Sequence, residues 1–144
     1  MANRSFNRLQ ALDKEIKIIH GQFATSSTDA TAVTLSESKS VGVKSITRNG
    51  AGDFSIVLGT PSGDADKYNH FFGAYFDIQK ASALGSTTGG VGFQLKGAPT
   101  VSTDGTINFL TLKQDGTAAD LGVSETVHFM IVVKNSSLPG VGVS

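Results

Sequence analysis

The sequence of 144 residues contains no cysteine and no tryptophan, and its twelve lysine and arginine residues are balanced by twelve aspartate and glutamate residues. The absence of cysteine excludes a disulfide framework, a cysteine-ligated zinc or iron–sulfur site and a thiol nucleophile. Without a net positive charge, the chain as a whole is not attracted to nucleic acid or to an anionic membrane surface.

Long apolar runs are also lacking. No stretch approaches the 18 apolar residues that a membrane span requires, and the first residues are not followed by an apolar segment of signal-peptide length. We therefore expect the protein to be made in the cytosol and to stay there, or in a particle that assembles there.

The residues that are abundant indicate a turn-rich β protein. Seventeen glycines occur beside many serines and threonines, and nine phenylalanines are spread along the chain, which is unlike a disordered segment. About seven short alternating segments are separated by Gly, Asp and Asn, so we predict an all-β fold, an antiparallel β-sandwich or barrel. The segment 126–134 is apolar on both faces, which places it in the middle of a sheet.

Several local features of this fold can be predicted. Asn49-Gly50 with a second glycine at Gly52 indicates a β-hairpin between two alternating segments, and residues 25–34 are expected to form a long exposed loop or an extended crossing. Alternating apolar residues should share one interior. These are Phe54, Ile56, Phe72, Phe76, Phe93, Phe109, Phe129 and Ile131.

The N-terminal segment has a different pattern. Phe6, Leu9, Leu12, Ile16 and Ile19 recur at steps of three or four residues, as on one face of a helix. Residues from Lys17 onwards also alternate as in a strand, so both interpretations compete near the boundary. We predict a short helix over about 5–14 and a strand over about 16–24, that is, an arm over 1–15 followed by a single β-sandwich domain over 16–144.

The arm is a candidate partner-binding element. The first twenty residues carry four positive and two negative charges, whereas acids outnumber bases in the rest of the chain. A terminal helix this short is marginal alone and must dock somewhere. We expect the arm to bind a partner through Arg4, Phe6, Arg8, Leu9 and Leu12. The alternative is that it covers an open end of its own sandwich.

Catalytic patterns are missing from the sequence. His20, His70 and His128 lack the close spacing that is usual for zinc ligands. Asp64 and Asp66 alternate in a loop as calcium ligands can, but the rest of an EF-hand pattern is absent. Neither a Gly-x-Ser-x-Gly elbow nor a phosphate-binding loop occurs. We therefore expect no enzymatic activity, no cofactor and no metal.

Three segments resemble a family of small structural proteins from tailed bacteriophages. They are MANRSFNRLQALDKEIK at 1–17, SITRNGAGDF at 45–54 and KNSS at 134–137. The most similar group is the capsid decoration, or cement, proteins. That resemblance implies a non-enzymatic virion protein that binds the outside of the assembled capsid, with the major capsid protein and copies of itself, as a dimer or trimer, as partners. The chain lacks the long Pro/Ala-rich arm of some trimeric members.

Two other function classes remain open at this stage. One is a tail, head-fibre or adaptor component of the same particle, or a surface module that binds host carbohydrate. Carbohydrate binding favours exposed aromatic side chains, and the phenylalanine spacing instead matches strand interiors. The other is an unrelated enzyme or regulator.

Overall fold

The computed structural model describes residues 16–80 and 90–135. These residues form two antiparallel sheets of four strands each, which face each other across one hydrophobic core as in a β-sandwich. The strands are β1 Ile16–Thr25, β2 Val33–Leu35, β3 Val43–Gly50, β4 Asp53–Leu58, β5 His70–Gln79, β6 Gly92–Leu95, β7 Thr106–Leu112 and β8 Thr126–Lys134. The predicted all-β sandwich is confirmed. The predicted arm over 1–15 lies outside the described residues.

The strand order explains the apolar pattern of β8. The first sheet (sheet A) has the order β2-β1-β8-β5, and the second (sheet B) has the order β3-β4-β7-β6. β8 lies between β1 and β5 and pairs with both along its whole length. Its predicted position in the middle of a sheet is therefore confirmed. No helix in the part of the chain that the structure describes is long and apolar enough to cross a bilayer.

The core is built from alternate residues of both sheets. Phe23 of β1 lies with its ring centroid 6.1 Å from Phe54, 6.2 Å from Phe109 and 6.2 Å from Phe129, so it joins the two sheets. Seven of the eight predicted interior residues are buried or pack against the core. Those confirmed are Phe54, Ile56, Phe76, Phe93, Phe109, Phe129 and Ile131.

The prediction for Phe72 is wrong. Its side chain is 54% exposed, because a β-bulge interrupts the pairing of β5 with β8. Phe71 pairs with Val133 and Gly73 pairs with Val132, which leaves Phe72 as the extra residue. A bulge shifts the alternation by one position, so Phe71 packs against the core and Phe72 does not.

The structure has eight strands among the described residues rather than about seven. The additional strand, β2, begins inside the predicted loop over 25–34 and pairs with the end of β1. Three residues at the edge of a sheet are too few to show an alternating pattern, which explains why the sequence analysis assigned this segment to a loop.

The predicted hairpin is confirmed, although its turn lies at residues 51–52, two residues later than the predicted Asn49-Gly50. β3 continues to Gly50 and β4 begins at Asp53, with a register irregularity before Gly50. Gly52, with φ +68°, is the glycine that the turn requires. A Cβ atom there would lie 2.5 Å from the backbone nitrogen of Ala119, so the turn packs closely on the segment between β7 and β8.

An ion pair holds the hairpin turn against the segment between β7 and β8. Arg48 donates from Nε to Asp120 Oδ1 at 2.8 Å and from Nη2 to Oδ2 at 2.7 Å. The Gly52 backbone N–H donates to Asp120 Oδ1 at 2.9 Å. The hydrogen bonds from Arg48 lower the pKa of Asp120, and Asp120 in turn raises the pKa of Arg48.

Candidate docking face

The outer face of sheet A exposes large apolar side chains. Alternation along β1 and β8 buries one set of residues in the core and directs the other set outwards. On β5 the same holds beyond the bulge. The exposed side chains that share this surface define the docking face: Ile16, Ile18, Phe72, Tyr75 and Met130.

Strand register brings these residues together. Met130 lies in the middle of the face, paired with Tyr75 of β5 on one side and with His20 of β1 on the other. His20 forms an isolated bridge with Val41, so four side chains form one row across the sheet. Directly opposed side chains in a sheet have Cβ atoms about 5 Å apart, so the row is continuous.

The degree of exposure distinguishes this face from scattered surface residues. Ile18 is 55% exposed, Tyr75 61% and Met130 42%, and they lie on three neighbouring strands of the sheet, β1, β5 and β8. Single exposed apolar residues are ordinary, but contiguous apolar patches on soluble domains usually mark contact sites. The arrangement is suited to docking on a flat apolar surface.

The bulge in β5 adds an aromatic corner to the docking face. Phe72 projects from the bulge and contacts His70, with ring centroids 5.3 Å apart and ring planes nearly perpendicular. Both side chains are exposed. The bulge that made the core prediction for Phe72 wrong therefore supplies this surface with an exposed aromatic ring.

All three histidines lie on exposed positions of sheet A. His20 is on β1, His70 on β5 and His128 on β8, where its Nε2 atom lies 3.3 Å from Gln79 Oε1. Within residues 16–80 and 90–135, no three His, Asp or Glu side chains are grouped as a metal site requires. Asp66, which was considered above as a calcium ligand, accepts a hydrogen bond from the Tyr68 hydroxyl at 3.3 Å.

The chain enters sheet A beside the docking face. Ile16 is the first described residue and pairs with Lys134. The next residue, Lys17, has its Nζ atom 5.3 Å from the ring centroid of the buried Tyr68. A hydrogen bond with Tyr68 raises the pKa of Lys17, so this position is cationic at neutral pH. Any segment preceding Ile16 therefore starts at the edge of the docking face.

Residues of the predicted partner-binding arm, Arg4, Phe6, Arg8, Leu9 and Leu12, lie outside the described residues. The sequence analysis did not assign the docking face as a site. Its signal was the second apolar face of β8, where Met130 and Val132 alternate with the core residues, and the corresponding position Ile18 on β1. These positions could be joined into one surface only once the neighbouring strands were known.

Comparisons with known protein families, with curated proteins and with solved structures find no match for this chain.

Proposed function

We propose that this protein is a non-enzymatic bacteriophage virion protein that binds the outside of the assembled capsid and stabilises it. The observation that carries the proposal is the docking face, the set of five exposed apolar side chains on the outer side of sheet A. The resemblance of segments 1–17, 45–54 and 134–137 to phage structural proteins supports the choice of a capsid as the partner. The major capsid protein is then the surface that the docking face contacts.

Energetics favour repeated, individually weak contacts. Fully burying a large apolar side chain contributes about 1.5–3 kcal/mol, so a residue that is already half-buried contributes about 1 kcal/mol. Five such residues supply about 5 kcal/mol, against association costs of about 4–15 kcal/mol. One docking face therefore binds weakly by itself. A second attachment on the same chain raises the effective concentration and converts a weak contact into stable binding.

The arm is the proposed second attachment. It precedes Ile16, which lies on the docking face, so an arm and a face on one chain can engage neighbouring capsid subunits. Arg4, Phe6, Arg8, Leu9 and Leu12 are the residues that we assign to this contact. Their mixture of basic and apolar side chains suits an acidic groove between subunits.

Virions of the phage that encodes the chain provide the test. They are stripped of this protein and then supplied with either of two double variants. Ile18→Lys with Met130→Lys places two charges on the docking face, whereas Thr47→Lys with Gln94→Lys places the same charges on exposed positions of sheet B. We expect at least tenfold weaker binding for the first variant and unchanged binding for the second. Equal binding of both variants would contradict the assignment of the docking face.

Capsid stabilisation is measured on the same particles. A ligand that binds only the assembled state at about 100 times its Kd stabilises that state by about 2.7 kcal/mol per site. We therefore expect DNA release on heating to shift to a higher temperature when the protein is added back. Equal rupture temperatures would reject the capsid-stabilising function.

A host-carbohydrate-binding module is the second candidate. The specific observation in its favour is the pair of exposed aromatic side chains Phe72 and Tyr75, because sugar rings stack on exposed aromatic faces. Titration with host surface glycans separates the candidates. Saturable glycan binding that is lost in a Phe72→Ser, Tyr75→Ser variant, combined with an unchanged capsid rupture temperature, would favour the carbohydrate-binding function.

A further inference from the structure

β5 provides the longest regular free edge among the described strands. Within the described part of the chain, β8 is the only strand that pairs with β5, and β2, β3 and β6 are the other strands at sheet edges. Beyond its bulge, β5 continues without irregularity from Gly73 to Gln79. β2 and β6 have only three and four residues, and two register irregularities interrupt β3. β5 is therefore the edge best suited to pair with an additional strand.

The hydrogen-bond pattern shows which backbone groups of β5 lie at this edge. The Thr25 N–H donates to Glu125 O at 2.9 Å, in line with the register of β1 on β8. Because bonding alternates between the two sides of an antiparallel strand, odd-numbered residues of β8 bond to β1 and even-numbered residues bond to β5. The β5 partners of those even-numbered residues are Gly73, Tyr75, Asp77 and Gln79. The N–H and C=O groups of Ala74, Phe76 and Ile78 therefore point away from β8.

This edge lacks the features that usually prevent pairing between copies. Monomeric proteins protect such edges with proline, with inward-pointing charges or with lysine. Neither proline nor lysine occurs from Gly73 to Gln79, and the side chains that pack against the core there are apolar. Lys80 follows the strand, but its Nζ atom donates to Glu125 Oε1 at 2.8 Å and to Gly90 O at 2.9 Å. Because Lys80 is held by these two groups, its charge does not protect the edge.

We propose that β5 pairs with β5 of a second copy of this chain around a two-fold axis at Phe76, so that the two A sheets join into one antiparallel sheet. In this register, Ala74 of one chain lies opposite Ile78 of the second copy, and the two Phe76 residues lie opposite each other. All three edge positions of each chain are then hydrogen-bonded. The proposal does not depend on the docking face or on a capsid partner.

Charge and pairing select this register. Asp77 is the only charged residue from Gly73 to Gln79. With the axis at Phe76, Asp77 lies opposite Tyr75 of the second copy, whose hydroxyl group is a hydrogen-bond donor. An axis at Asp77 would place two carboxylates opposite each other, which is destabilising. An axis at Tyr75 would place Ile78 opposite the bulge of the second copy, where regular pairing ends.

The second copy also covers apolar side chains beside the edge. A cavity of about 410 Å³ lies between β5 and β6, the outermost strands of the two sheets on this side. Phe76 stacks there on Phe93 with ring centroids 5.0 Å apart, and both side chains are only half-buried. Leu95 is 36% exposed. A strand added to β5 extends sheet A over this cavity, so its core-facing side chains remove apolar surface of these residues from water.

Because the native chain has no cysteine, disulfide trapping tests the register directly. In the proposed dimer, Tyr75 and Asp77 of different copies form a non-hydrogen-bonded pair with Cα atoms about 4.5 Å apart, which suits a disulfide. Two Tyr75 residues are diagonal neighbours about 7–8 Å apart, which is too far. Full-length Tyr75→Cys and Asp77→Cys chains are therefore mixed and mildly oxidised. We expect the mixed disulfide to form at least tenfold faster than either self-disulfide, as measured by mass spectrometry.

A mixture of Ser45→Cys and Thr47→Cys chains is the matched control. These two residues have the same spacing on β3, an edge strand of sheet B. We expect slow cross-linking there without preference for the mixed product. Equal rates for the two mixtures would reject pairing through β5. Self-disulfides of Tyr75→Cys or Asp77→Cys that form as fast as the mixed product would reject the axis at Phe76.

Proline substitution tests the backbone pairing separately. The Ile78 N–H points away from β8, so Ile78→Pro removes no hydrogen bond within sheet A but removes one to the second copy. Ile46→Pro on β3 is the matched control, because Ile46 and Ile78 are both partly buried against the core. The Thr111 N–H donates to Gly52 O, so even-numbered residues of β4 bond to β7, and Ile46, opposite Ile56, points away from β4.

Sedimentation of the full-length chains over a range of concentrations measures the dimer dissociation constant. We expect this constant to be at least tenfold larger for Ile78→Pro than for wild type, and nearly unchanged for Ile46→Pro, because only the first variant loses a contact to the second copy. A wild-type chain that remains monomeric at every concentration would overturn the proposal. Equal dissociation constants for the two variants would show that the copies associate through a different surface.

Discussion

The outer face of sheet B carries hydroxyl and amide side chains that hydrogen-bond to one another, whereas the outer face of sheet A carries exposed apolar and aromatic side chains. On sheet B, Asn49 Nδ2 donates to Ser55 Oγ at 2.6 Å, and Ser55 Oγ donates to Asn108 Oδ1 at 2.7 Å. On sheet A, Tyr75 and Met130 are paired across strands but remain largely exposed. These polar side chains of sheet B therefore satisfy one another within the chain, while sheet A presents apolar area for another surface.

Truncating a side chain in the shared core should have the largest effect on the free energy of unfolding. Phe129 of β8 is 3% exposed, whereas Phe72 of β5 is 54% exposed in the same sheet. We expect Phe129→Ala to lower the free energy of unfolding by about 3–5 kcal/mol. Phe72→Ala should change it by less than about 0.5 kcal/mol, as is usual for surface positions. Urea unfolding of both variants measures the contrast.

A result that reversed this order would break the distinction between the inner and outer sides of sheet A. A large loss of stability for Phe72→Ala would mean that Phe72 is packed against another part of the chain. A small loss for Phe129→Ala would contradict the register of β8 with β5.

These positions also show what the sequence can and cannot predict. The core face of β8 and its central position follow from local alternation, because the direction of each side chain there depends only on its position relative to adjacent residues. Phe72 could not be placed, because a single bulge residue reverses the alternation without altering the composition. Arg48 and Asp120 are 72 positions apart, so their ion pair depends on which strands become neighbours. The docking face depends on the same long-range information.

The ion pair beside sheet B should have the next largest effect. Asp120→Asn removes a charged acceptor from Arg48, and we expect a loss of about 1.5 kcal/mol at pH 7, the lower end for a hydrogen bond to a charged group. Because the pKa of Asp120 is lowered in the folded protein, this stabilisation is present above the unfolded-state pKa of about 3.9 and disappears as the pH falls through the folded-state value.

The wild-type protein and the Asp120→Asn variant should therefore converge in stability as the pH is lowered from 7 towards the acid transition. Asp115→Asn is the matched control. Asp115 also has a lowered pKa, but its partner Thr117 lies in the same exposed turn, so the loss should be clearly smaller than for Asp120→Asn. A difference between wild type and Asp120→Asn that persists at low pH would show that the ion pair is not its source.

The smallest effect on stability is expected on the docking face itself. In Tyr75→Ser with Met130→Ser, the free energy of unfolding should change by less than about 0.5 kcal/mol for each position, because both side chains are already largely exposed. Retention on a hydrophobic-interaction column should fall, since the apolar area of the surface is reduced. Ser55→Ala on sheet B should do the opposite, with about 1 kcal/mol of stability lost and retention nearly unchanged.

This last contrast also tests whether the N-terminal arm docks on the outer face of its own sheet A or on a neighbouring subunit. If the arm covers the outer face of its own sandwich, Tyr75 and Met130 are buried in the complete chain, and replacing both should lower stability by several kcal/mol. If the arm reaches a neighbouring subunit, the face of the isolated protein stays exposed and the double variant remains as stable as the wild type. We therefore compare the stability change caused by Tyr75→Ser with Met130→Ser in the chain with residues 1–15 and in the chain without them. A large change only when the arm is present means that the arm covers the outer face of sheet A.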